Sequence, residues 1–94
     1  MGQLFNELSS YIKNKNMNAI YAEIVTRVAY LGLGILERGE FLNAVVQSDS
    51  NNPFNQKIVV TLGLPHYIVT VTVDQNDNIS YKITTVYDPT KQIL

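Results

Sequence analysis

The sequence contains no cysteine, which excludes a disulfide framework, a thiolate zinc site and a cysteine nucleophile. It has one histidine, His66, so a His-rich metal centre and a His–His acid/base pair are excluded as well. Charge is sparse and nearly balanced, with seven basic against eight acidic side chains and a net charge of −1. That balance gives no strong field toward a phosphate backbone, and nucleic-acid binding would have to rest on a local basic patch. The longest apolar-or-glycine run, residues 28–36, falls far short of the roughly 20 residues needed to span a bilayer. No basic stretch leading into an apolar one opens the chain, so the expectation is a soluble, cytoplasmic protein without a membrane partner. Gly-rich phosphate loops, nucleophile elbows and metal-ligand spacings are also missing, and no cofactor or metal is implied.

What is present is a chain of 94 residues, 46% of them hydrophobic, which reads as one globular domain over 1–94. A chain of this size buries only about 60–65% of its unfolded surface, so the core is thin. Leu4, Phe5, Leu8, Tyr11 and Ile12 recur on one face of a short amphipathic helix. Lys13-Asn14-Lys15-Asn16 ends it, and Asn16 or Asn18 is placed to cap the next. Tyr21, Ile24, Val28, Leu31 and Ile35 then form a second helical stripe reaching about Arg38, with Gly39 as a stop. Gly32 and Gly34 within it read equally as close packing or as a local break. Residues 41–47 read as either a short helix or an additional edge strand.

The second half is strand-like. Segments 57–62, 67–73 and 79–87 are rich in Val, Ile, Thr and Tyr and are bounded by turn residues. Pairing across the turns predicts Val73 opposite Ile79, Val71 opposite Tyr81 and Val69 opposite Ile83. The earlier hairpin is expected to set Leu62 against Tyr67, Val60 against Val69 and Ile58 against Val71. Both hairpins gather the large apolar residues, Tyr67, Tyr81 and Tyr87 included, on one face, which two N-terminal helices (1–39) should cover. The fold class is therefore α+β, helices packed on one face of an antiparallel meander (56–88) of three strands, or four if 41–47 joins. The opposite face collects Lys57, Thr61, His66, Thr70, Thr72, Ser80, Lys82 and Thr84, interrupted by Val59, Ile68 and Val86.

Few residues on that face suggest chemistry. Asp74-Gln75-Asn76-Asp77-Asn78 resembles the start of a calcium loop, but Ile79 stands where the sharp turn needs glycine and Thr85 where a bidentate Glu is needed. A hairpin turn is the better reading. His66 is the only side chain with an unperturbed pKa near neutrality, suiting a general acid/base. Lys57 and Lys82 are placed to hold an anionic transition state, and Thr84 to position a substrate. The plainer reading is that His66 completes a turn and the lysines solubilise an exposed sheet face. Glu23 and Arg27 form an ordinary i, i+4 pair.

Leu36-Glu37-Arg38-Gly39-Glu40, a loop with Pro53, Leu64-Pro65-His66-Tyr67-Ile68-Val69 entering a strand, and the closing Ile83-Thr84-Thr85-Val86-Tyr87-Asp88-Pro89 resemble, in that order, a family of small uncharacterised bacterial domains. These domains are grouped with the RelE-like ribonuclease toxins, in a superfamily that also holds barnase, EndoU and colicin nuclease domains. The similarity covers roughly 60 residues by these hairpin signals. It implies helices on one face of a curved antiparallel sheet whose open face meets RNA in the active toxins. It also implies His66 as acid/base, with Lys82 and Thr84 beside it and Arg38 nearby. Where the family carries a His-Ala pair and arginines ahead of the sheet, this chain has Tyr21-Ala22 and Arg27. Together these features lead to a non-catalytic protein-interaction domain on a toxin-like scaffold. Its expected partner is itself or a cognate protein of a toxin–antitoxin, defence or mobile-element system. The alternative is a metal-independent ribonuclease using the open sheet face, and a sheet that binds RNA without cutting it is a third reading.

Overall fold

The computed structural model describes residues 2–30, 40–63 and 67–85. Two helices, α1 (Gln3–Lys13) and α2 (Met17–Tyr30), precede four strands, β1 (Glu40–Ser48), β2 (Gln56–Gly63), β3 (Tyr67–Asp74) and β4 (Ile79–Thr85). The strands form one antiparallel sheet in the order β1-β2-β3-β4, a plain meander. Segment 41–47, ambiguous by periodicity, is a strand. It pairs with β2 along its length, interrupted by a bulge between Phe41 and Asn43 that leaves Leu42 unmatched.

The helices form where the apolar period places them. Leu4, Phe5 and Leu8 of α1 are buried, with Tyr11 and Ile12 packed at the margin of the core. Below Ile12 the chain turns sharply: Lys15 adopts a left-handed φ of 56°, the Asn16 N–H donates to the Tyr11 carbonyl at 2.9 Å, and the Lys15 N–H donates to the Ile12 carbonyl at 3.1 Å. That pair of bonds closes the helix end and satisfies carbonyls the helix leaves orphaned. Asn16 then caps α2, its Oδ1 accepting the Ala19 N–H at 3.3 Å. The buried line of α2 is Ile20 and Ile24, with Tyr21 at its edge. The expected continuation of the helix to Arg38, the glycines Gly32 and Gly34 and the stop at Gly39 lie outside the described residues.

Opposite the helices, Ile58, Val60 and Leu62 of β2 and Val69, Val71 and Val73 of β3 are fully buried. Each such side chain stabilises the fold by about 1.5–3 kcal/mol relative to its exposed state. The β3–β4 pairing is the expected one, with Val73 opposite Ile79, Val71 opposite Tyr81 and Val69 opposite Ile83. The β2–β3 pairing differs from expectation by two residues: Leu62 faces Val69, Val60 faces Val71 and Ile58 faces Val73. The connection keeps four residues between paired positions but moves one place along the chain, so that Gly63 enters the ladder opposite Ile68. This alignment sets Lys57 against Asp74 and every buried β2 side chain against a buried valine. A shift of two keeps each side chain on its face, which is why the two-layer arrangement is unchanged.

One part of the expected core is not covered. Tyr81 and Ile83 of β4 share the face of Val71 and Val69 but are exposed, Ile83 to 46%. The helices lie over β1 and β2, and the far edge strand extends beyond them. Tyr87 and Val86 lie outside the described residues, as does the side chain of Tyr67.

Candidate functional site

The open face of the sheet can be laid out row by row from the pairing. Lys57 stands between Gln47 and Asp74; one row on, Val45, Val59, Thr72 and Ser80 align; then Asn43, Thr61, Thr70 and Lys82; then Gly63, Ile68 and Thr84. Thr61, Thr70 and Thr72 are half-buried among their neighbours, whereas Lys57, Ser80, Lys82 and Thr84 are exposed. Exposed threonines suit a pleated surface through their branched Cβ and need no chemical role.

Lys82 and Thr84 are two residues apart on the same face of β4, about 7 Å from each other. Lys57 is elsewhere. It is two strands and two rows away from Lys82, a separation of about 16 Å at strand spacings of about 4.8 Å and rises of about 3.3 Å. The two lysines are therefore not neighbours on the open face. His66 belongs to the connection between β2 and β3, and Arg38 to the segment before β1; both lie outside the described residues. Arg27 faces Glu23 at 3.8 Å.

Lys57 takes part in a different feature, a cleft of about 490 Å³ at the end of the sheet where β1 turns into β2. Its walls are Gln47, Ser48, Asp49, Asn55, Lys57 and Asp74 together with Gln56. The loop above it is braced by its own side chains: Asp49 Oδ1 accepts the Asn51 N–H at 2.8 Å and Asn52 Oδ1 accepts the Phe54 N–H at 3.2 Å. Gln75 Nε2 donates to the Phe54 carbonyl at 2.9 Å, tying this loop to the β3–β4 turn. The loop presents Phe54 with 88% of its surface in water.

The Asp74–Asn78 segment is the expected hairpin turn. Asp74 accepts the backbone N–H groups of Asn76 and Asn78 at 2.8 and 2.9 Å and the Asn78 amide at 3.0 Å. The two bonds from Asn78 lead in holding its carboxyl below the usual carboxylate range, desolvation opposes them, and the Asn76 bond adds to the lowering. Asp77, at a left-handed φ of 64°, points back to the helix layer. Its Oδ2 and Oδ1 accept the Leu4 and Phe5 N–H groups at 3.1 and 2.8 Å. Gly2, at the N-cap position of α1, supplies no side-chain cap, and an added Cβ there would fall on the Asp77 carboxylate. The segment with calcium-loop composition is thus a helix cap reaching across the fold. Among the described residues no group of three or more His, Asp or Glu side chains is gathered to hold a metal ion.

The sequence offers 41–47 as an edge strand, but the exposed apolar side chains along that edge were missed. Val45 and Val46 point to opposite faces, yet are 36% and 39% exposed, and Leu42 at the bulge is exposed too. The signal was present: residues 41–48 carry no charged side chain and no proline. Beside this edge, on the helix side, lies an apolar hollow of about 180 Å³ lined by Ile12, Met17, Ile20, Phe41 and Ala44, with Lys15 and Asn43 at its margin.

No family model matches this chain, and no curated protein or solved structure is significantly similar to it. No helix among the described residues is long and apolar enough to cross a membrane.

Proposed function

We propose that this chain is a small protein-interaction domain whose partner is another protein, either a second copy or a cognate component of a toxin–antitoxin, defence or mobile-element system. The observation that carries the reading is the distribution of its surface. Lys57 and Lys82 stand two strands and two rows apart, whereas exposed apolar side chains among the described residues concentrate along the sheet edges. Such side chains gain free energy only when a partner removes them from water. The resemblance of the C-terminal two-thirds to RelE-like domains supports the kind of system, and the near-neutral charge supports protein over RNA as the partner.

A ribonuclease is the second reading, favoured by one observation, the adjacency of Lys82 and Thr84 on the open face. In that reaction the substrate's 2′-hydroxyl attacks the neighbouring phosphorus as His66 removes its proton. Lys82 steadies the charge on the phosphorane, and the 5′-oxygen leaves with a proton returned to it. Incubation with RNA separates the readings. The interaction domain leaves RNA intact and forms a complex of defined mass with itself or with the product of a neighbouring gene. Cleavage that disappears in His66→Ala overturns it.

A further inference from the structure

We infer that the partner of the β1 edge is a second copy of this chain, joined by antiparallel β1–β1 pairing about a two-fold axis at Val45. The inference rests on the protein-interaction reading and names its surface and occupant. Among the described residues nothing pairs with the outer side of β1, so a row of backbone N–H and C=O groups faces outward along a nine-residue strand. Edges of this kind are templates for another strand unless charge, proline or a bulge blunts them. Here the bulge lies at one end only, between Phe41 and Asn43, leaving Asn43–Gln47 as a regular ladder with Val45 at its centre.

Pairing about Val45 sets like with like across the axis. On the open face Val45 meets the second copy's Val45, and Asn43 meets its Gln47, amide to amide. The apolar row Val59–Val45 then runs unbroken into its symmetry mate. On the helix face Ala44 stands opposite the second copy's Val46. Ala44 is a small residue on the wall of the 180 Å³ apolar hollow, and Val46 is a valine left 39% exposed. Each copy thus offers the side chain that the other's hollow lacks.

The charge pattern agrees. Asn43–Gln47, the regular part of the ladder, carries no charged side chain, so no two like charges meet within it. The other edge strand, β4, carries Lys82 near its middle, where a two-fold pairing brings ammonium against ammonium.

Light scattering on the size-excluded full chain, over micromolar to near-millimolar concentrations, tests this. The expected mass is twice 10.6 kDa. Val45→Lys and Val45→Glu, each checked for folding by circular dichroism, are expected to raise the dimer Kd by about a hundredfold. An equimolar mixture of the two restores the dimer, because opposite charges then face each other at the axis. Ile83→Lys, on the far edge, leaves the mass at the dimer value. A monomer at every concentration overturns the inference, as does a dimer lost with Ile83→Lys but kept with both Val45 variants. If such a monomer still binds a neighbouring gene product, the interaction reading stands without this surface; RNA cleavage by a Val45-paired dimer removes the reading and leaves the surface.

Discussion

Asp77 shows how much a single side chain can do when its position is unusual. It adopts a left-handed backbone and caps a helix more than seventy residues earlier in the chain. Asp77→Ala removes both acceptors and leaves the Leu4 and Phe5 N–H groups without a partner, at a cost of about 1–2 kcal/mol. For a domain of this size that lowers Tm by roughly 5–15 °C, which thermal unfolding measures. Gly2→Ala displaces the same carboxylate, so its cost is of the same kind. In a double-mutant cycle the two substitutions together are expected to cost less than the sum of their separate effects.

Asp74, three residues earlier, gives a pH dependence. Its carboxyl is depressed in the folded state by the Asn78 and Asn76 hydrogen bonds. The folded protein therefore holds the charged form more firmly than the unfolded chain does. Its contribution is complete above the unfolded carboxylate range, about pH 4, and is lost as pH falls through the lower folded value. Tm should fall on acidification through that window, and Asp74→Asn should flatten this part of the profile. An unchanged acid limb in the variant would assign the loss to other carboxylates.

Among the elements, β4 and β2 differ in a way their sequences hide. Ile58 and Ile83 are the same residue type, on the same face of the same sheet, both expected to be core. Ile58 is fully buried between β1 and β3, whereas Ile83 stands at the edge beyond the helices. Ile58→Ala is expected to cost about 2–5 kcal/mol and Ile83→Ala under about 1 kcal/mol, readable from urea midpoints at unchanged slope. Equal costs would mean that something covers β4 in solution. Strand identity was legible from Val, Ile and Thr content, and the β3–β4 register from its turn. The β2–β3 register was not, because two alignments two residues apart place every side chain on the same face. Only pairing partners, Lys57 with Asp74 among them, separate them.

For the whole molecule, the surface decides between functions. With a net charge of −1 and its sheet cations about 16 Å apart, the chain should show no steeply salt-dependent RNA binding. Fluorescence titration of a single-stranded RNA at two salt concentrations measures this. Affinity falling a hundredfold or more over a few-fold rise in salt would restore a nucleic-acid role for the open face.

By itself the sequence determined the fold class, the two helices through Tyr30, the hairpin strands and which strand residues share a face. Those depend on periods of 3.6 and 2 that each segment carries locally. It also marked Lys57, Lys82 and Thr84 as open-face residues, since alternation along a strand is local too. Tertiary structure decided what depends on neighbours distant in sequence. It made residues 41–48 an edge strand, drew Lys57 away from Lys82, left Ile83 outside the helix layer and turned Asp77 into the cap of α1. Each depends on strand register or on how layers of unequal width overlap, and no segment encodes either alone.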